Sequence, residues 1–180
     1  RRGGPRGPGT RRSLVRRVYF DLIGLPPTPE EVDAFTEAFA RDADAALADL
    51  IDRLLAMPHY GERWGRHWLD VARYSDLVGT FGGPAIPYAW RYRDWVVAAL
   101  NRDLPYDEFV KLQIAGDVLK PGDAKAITAT GFLVGGAHDA LLPAGDIMRL
   151  IMREDEMEDL VGTVAQTFLG QTFNCARCHD

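Results

Sequence analysis

With 180 residues, 47% of them hydrophobic and 26% charged, the chain has enough apolar material for a buried core and too little charge for a disordered tail. No apolar run approaches the roughly 18 residues of a membrane-spanning helix, and no basic, apolar and small-residue succession marks a signal peptide. The net charge of −5 argues against a nucleic-acid partner, because an acidic body repels phosphate.

The charge is uneven. Residues 1–20 hold seven arginines and no acid. A basic arm can grip an anionic surface, but glycine and proline interrupt these arginines, and the simpler reading is a flexible basic lead-in over residues 1–12. The sequence opens on Arg1 and stops one residue past a motif, so it reads as a piece of a longer protein. The ordered domain is expected over residues 13–180.

Its first short helix is expected at 13–20, with Leu14, Val15, Val18, Tyr19 and Leu22 on one face. Thr28-Pro29-Glu30-Glu31 is a helix start, with Thr28 as cap, Pro29 first and Glu31 closing a capping box. Val32, Phe35 and Phe39 form the stripe behind it. A further helix over 44–56 presents Leu47, Leu50, Ile51, Leu54 and Leu55, and Pro58 is read as its stop.

The helix expected over 61–74 is the densest in chemistry. Trp64, Trp68 and Val71 share one face, and Glu62, Arg66 and Asp70 form an i, i+4, i+8 ladder on another. Arg66, His67 and Arg73 meeting an anionic ligand is the functional reading; a core helix with solvated charges is the plainer one. Residues 75–88 form a loop of glycine, proline and aromatics too long for a mere connector. Beyond it come a helix at 90–101 burying Trp95, Val96, Ala99 and Leu100, and another with Phe109, Leu112 and Val118 inward. One short helix is expected over 125–134. A second glycine-rich loop, 135–145, carries His138 and Asp139. The last helix, 146–169, turns Leu150, Met157, Leu160, Val161, Val164 and Phe168 to the core and stops at Gly170. No segment alternates with period two. The fold class is therefore mostly α: a multi-helix single domain with two long Gly/Pro-rich loops and no substantial sheet.

Both cysteines lie in the closing Cys175-Ala176-Arg177-Cys178-His179-Asp180. Cys-x-x-Cys-His is the pattern of c-type haem attachment, in which two thiols form thioethers to the vinyl groups and the histidine ligates iron. Three other readings stay open: half of a zinc or other metal site completed by His179 or Asp180, a redox dithiol, and a disulfide-closed turn. For haem, a distal ligand could come from His59, His67, His138, Met57, Met148, Met152 or Met157. No carboxylate pair or nucleophile–base set is specific enough to name a reaction. A binding or catalytic module facing an extracellular carbohydrate through its aromatics and arginines, or a helical spacer, remains the alternative.

Several stretches together resemble one family: Arg17-Val18-Tyr19-Phe20-Asp21-Leu22-Ile23-Gly24-Leu25-Pro26-Pro27, Pro58-His59-Tyr60-Gly61-Glu62-Arg63-Trp64, His67-Trp68-Leu69-Asp70-Val71-Ala72-Arg73-Tyr74, Trp90-Arg91-Tyr92-Arg93-Asp94-Trp95 and the closing motif. They resemble the planctomycete cytochrome-c-like domain, the second of the named pair. The resemblance implies a large periplasmic or secreted protein in which this domain sits beside others, a cytochrome c domain among them. It also implies haem c on Cys175 and Cys178 with His179 as ligand, and a domain that continues past Asp180.

Overall fold

Local capping sets out the first third of the chain. In the computed structural model, which describes residues 10–78, 83–136 and 145–178, Thr10 accepts the Ser13 N–H and starts α1 (Arg11–Leu22). Thr28 then caps α2 (Pro29–Arg41) with the expected reciprocal box: its hydroxyl accepts the Glu31 N–H at 3.3 Å, and Glu31 Oε2 accepts the Thr28 N–H at 2.8 Å. Asp42 ends α2 and caps α3 (Ala43–Leu55), accepting the Ala45 N–H at 3.0 Å. These three helices close around Val15, Tyr19, Ile23, Phe35, Ala46, Leu50 and Leu54. Leu55, expected on that face, is exposed.

Pro58 does not so much stop α3 as open α4 (Pro58–Val71), where its missing N–H costs nothing. No side chain of α4 caps this start. Asn101, at the far end of α5 (Trp90–Asn101), does it instead: Oδ1 accepts the Gly61 N–H at 2.8 Å and Nδ2 donates to the Pro58 carbonyl at 3.0 Å. The approach is close because Gly61 and Gly65 face α5. A Cβ at Gly61 would lie 2.5 Å from the Val97 carbonyl oxygen. This glycine edge explains a correction. Trp64 and Val71, expected to share a buried face with Trp68, are exposed, because α4 has turned Gly61, Gly65 and Trp68 inward instead.

The second core takes α4 and α5 together with α6 (Tyr106–Leu119), α7 (Ala124–Ala129), α8 (Gly131–Val134) and the end of α9 (Asp146–Val164). Trp95, Phe109 and Phe132 are buried in it, with Trp68 and Phe168 packed against them. Gln113 is fully buried there, and every polar atom around it is answered. Its Oε1 accepts the Tyr92 hydroxyl at 2.7 Å and the Trp68 indole N–H at 2.8 Å, and its Nε2 donates to the Phe109 carbonyl at 3.2 Å. Burial pushes the Tyr92 phenol well above its ordinary pKa, so it stays a donor.

Three further expectations change. Val118 is 75% exposed rather than inward, because α6 kinks at Ala115 (φ −145°, ψ 32°) and brings Gly116 against α7, where a Cβ would lie 2.2 Å from the Ala126 carbonyl oxygen. The helix expected over 125–134 is broken at Thr130 into α7 and α8. The last helix is α only to Val164, continues as a π turn (Ala165–Leu169), and stops at Gly170 with φ +65°. Leu150, Met157 and Val161, expected in the core, are exposed; only Val164 and Phe168 of that stripe pack into it. Among the described residues there is no strand, only an isolated bridge between Leu77 and Ala85. The fold is the mostly α domain that the sequence predicts.

Candidate cofactor-attachment site

The motif follows α9 directly. After Gly170, residues 171–173 lead into a 3-10 turn (Asn174–Arg177), closed by the Ala176 N–H donating to the Phe173 carbonyl at 2.9 Å and the Cys178 N–H to the Cys175 carbonyl at 3.2 Å. Cys175 lies in the turn and Cys178 caps its end. Both cysteines are free and exposed. The turn is seated against α9 through Asn174: a Cβ at Gly162 would lie 2.5 Å from Asn174 Oδ1, so a larger residue at 162 would push that amide aside.

His179 and Asp180 lie outside the described residues, as do His138 and Asp139. The remaining candidate distal ligands are scattered. Met57 packs against the first core, and His59, on the first turn of α4, holds a buried Nδ1 with no hydrogen-bond partner. His67 is exposed, its ring 5.5 Å from that of Trp64. Met148, Met152 and Met157 lie on α9, the helix that seats the turn. Among the described residues no three His, Cys, Asp or Glu side chains gather as metal ligands.

Arg66, His67 and Arg73 are not brought together. Arg66 lines a cleft of about 720 Å³ between α4 and α5 with Glu62, Asp70, Arg93 and Asp94. Arg73, at φ 56°, pairs with Asp159 of α9 and lines a separate cleft of about 300 Å³ with Gly136 and Leu160. Burial lowers its guanidinium pKa, and its Nε has no partner. Arg73 thus ties the end of α4 to the helix that carries the motif.

Sequence reasoning missed Asn174, Gly162 and Gln113. The first two carry a signal only as a pair, a small residue facing a short amide 12 positions on, and nothing local announces that pairing. A family profile matches residues 4–180, from before the first helix through the motif. The chain belongs to the PSCyt2 family. That family is described as a protein of unknown function (DUF1549), so membership fixes relationship and not chemistry. Neither curated proteins nor solved structures give a match. In this PSCyt2 chain the motif follows the long helix α9 and its π turn and is seated on that helix.

Proposed function

We propose that this PSCyt2 chain is a c-type haem-binding module of a larger extracytoplasmic protein, serving electron transfer. One observation carries the reading: two free, exposed thiols in and at the end of a 3-10 turn, with His179 next in sequence. The residues fit the group. Cys175 and Cys178 would hold haem covalently, each sulfur bonding one vinyl carbon while the thiol hydrogen passes to the other, so the addition consumes no oxidant or reductant. His179 would ligate the iron. The neighbouring surface suits an apolar macrocycle, since Met157, Val161, Leu169 and Phe173 are all exposed beside the turn or on the helix that seats it. When bound, haem supplies a one-electron couple whose potential depends on the second axial ligand.

A periplasmic or secreted location, with neighbouring domains of the same polypeptide as redox partners, belongs to the same proposal. No helix among the described residues is long and apolar enough to cross a membrane. Co-expression with haem-maturation machinery tests the reading. The denatured, reduced chain in pyridine is expected to show a covalent haem band, which Cys175→Ser combined with Cys178→Ser abolishes. A colourless chain that carries stoichiometric zinc, or a haem lost on denaturation, overturns it.

A further inference from the structure

The turn that launches α5 breaks a local rule. The Ala89 N–H donates to the Ile86 carbonyl at 3.3 Å, Pro87 takes the second position, and Tyr88 in the third has φ 67°. That is the pattern of a type II turn, whose third position suits glycine because a Cβ is strained there. An aromatic side chain at positive φ is a genuine outlier. Burial does not compensate, since Tyr88 is 64% exposed. Strain held without burial marks positions kept for another purpose.

The surroundings indicate which purpose. Trp90 is 47% exposed, and the Arg91 guanidinium carbon lies 4.7 Å from the Tyr88 ring centroid and 5.7 Å from that of Trp90. Arg91 and Thr128 line two adjoining clefts, of about 380 and 340 Å³. The first adds the hydroxyls of Ser75 and Thr130; the second adds Arg102 and Lys125. Asp94, the acid in the second cleft, is paired with Arg93 at 3.0 Å. Flat exposed rings, short hydroxyls and a few cations make up the complement of an acidic sugar.

We propose that this surface binds an acidic polysaccharide, with sugar faces stacking on Tyr88 and Trp90 and carboxylates meeting Arg91, Arg102 and Lys125. Single-stranded nucleic acid also stacks on aromatics, but it needs a basic groove tracking its backbone, whereas Arg91, Arg102 and Lys125 share one cleft with Asp94. The proposal is independent of the haem reading, since no atom of the motif takes part.

Titrating the full chain with a galacturonate hexamer, with cellohexaose and with oligothymidylate, following tryptophan fluorescence, tests it. The galacturonate hexamer is expected to bind more tightly than either competitor. Tyr88→Gly is expected to weaken that binding roughly tenfold, the loss of one aromatic stack, while Tm holds or rises as the turn relaxes. Arg91→Gln is expected to narrow the preference for galacturonate over cellohexaose. No galacturonate binding, equal or tighter binding of either competitor, or unchanged affinity in Tyr88→Gly overturns the proposal. So does an affinity loss accompanied by a lower Tm, which makes Tyr88 a structural residue.

Discussion

Two regions of this molecule carry the same sequence signal and meet opposite fates. Helices α1 to α3 each present an apolar stripe, and the three stripes close on one another around Tyr19, Phe35 and Leu54. Helix α9 and the π turn that continues it present Ile147, Leu150, Met157, Val161, Val164 and Phe168 at alternating three- and four-residue steps, with Glu154 completing the series. Its last two members pack into the second core while the earlier ones stay exposed. Helical periodicity specifies that a face exists. Whether that face is covered depends on what another element brings to it.

Leu54→Ala should show the closed side of this contrast most strongly. Leu54 is fully buried, and the substitution is expected to destabilise the fold by about 2–5 kcal/mol through lost burial and the remaining cavity. A urea midpoint that falls without a change in m value checks it. Gln113→Leu comes next, in the second core. It takes the acceptor from the Tyr92 hydroxyl and leaves the Trp68 N–H only the Tyr92 oxygen, and is expected to cost about 1–3 kcal/mol. Wild-type stability in that variant would mean that the Tyr92 O–H finds another acceptor, since the Trp68 N–H already donates to its oxygen at 3.1 Å and an indole cannot accept in return.

The first core also titrates, in two directions. Burial raises the Glu31 pKa, but the Thr28 N–H, the Tyr19 hydroxyl and Arg53 outweigh it, and the carboxyl ends below its ordinary value. A carboxylate pKa depressed by folding contributes stability that is present above the unfolded pKa and lost as pH falls through the folded one. Tyr19 runs the other way: burial, then the bond to Glu31, pushes it from 10 to about 12 against the opposing charge of Arg53. Its contribution is complete below pH 10 and is lost as pH climbs toward about 12. Tm measured against pH should therefore fall at both ends, with Glu31→Gln flattening the acid limb and Tyr19→Phe the alkaline one. An acid limb of unchanged slope in Glu31→Gln would place the titration elsewhere.

Those features divide by how far apart their causes lie in sequence. The Thr28 box, the bounds of α5 and the stop at Gly170 were legible because each depends on residues within one turn. The buried faces of α4 and α6 were not. Gly61 and Gly65 gain their meaning from α5, and Val118 swings outward because Gly116 must meet Ala126. Gln113 reads as a solvated residue until Trp68 and Tyr92, 45 and 21 positions away, converge on it. At the motif the thiol pair was legible as chemistry, whereas its seat on Gly162 through Asn174 was not. Tyr88 lies between these cases: the sequence places it at the end of a long loop, and the turn that holds it, with an aromatic at its glycine position, shows only once φ is known.

The smallest expected effect is the one that sharpens the contrast most. Leu150 is 66% exposed on α9, so Leu150→Ala, the same chemical change as Leu54→Ala, is expected to shift stability by no more than about 0.5 kcal/mol. Alanine's better helix propensity offsets part of any packing lost at an exposed site. A neutral result means that Leu150 contributes nothing to this domain's stability, which sets the exposed half of the α9 stripe apart from the closed face at Leu54. A loss above about 1.5 kcal/mol, in the range of a buried leucine, means instead that Leu150 is covered when the chain folds in solution. The two halves of the stripe would then form one seam with Val164 and Phe168, and the exposed and closed regions would differ in degree only. Repeating the measurement on chain matured with haem separates a cover supplied by the cofactor from one supplied by the polypeptide. Asn174 beside Cys175 meets α9 at Gly162, about three turns of helix from Leu150, so haem held on Cys175 would be expected to change the Met157→Ala value before it changes that of Leu150→Ala.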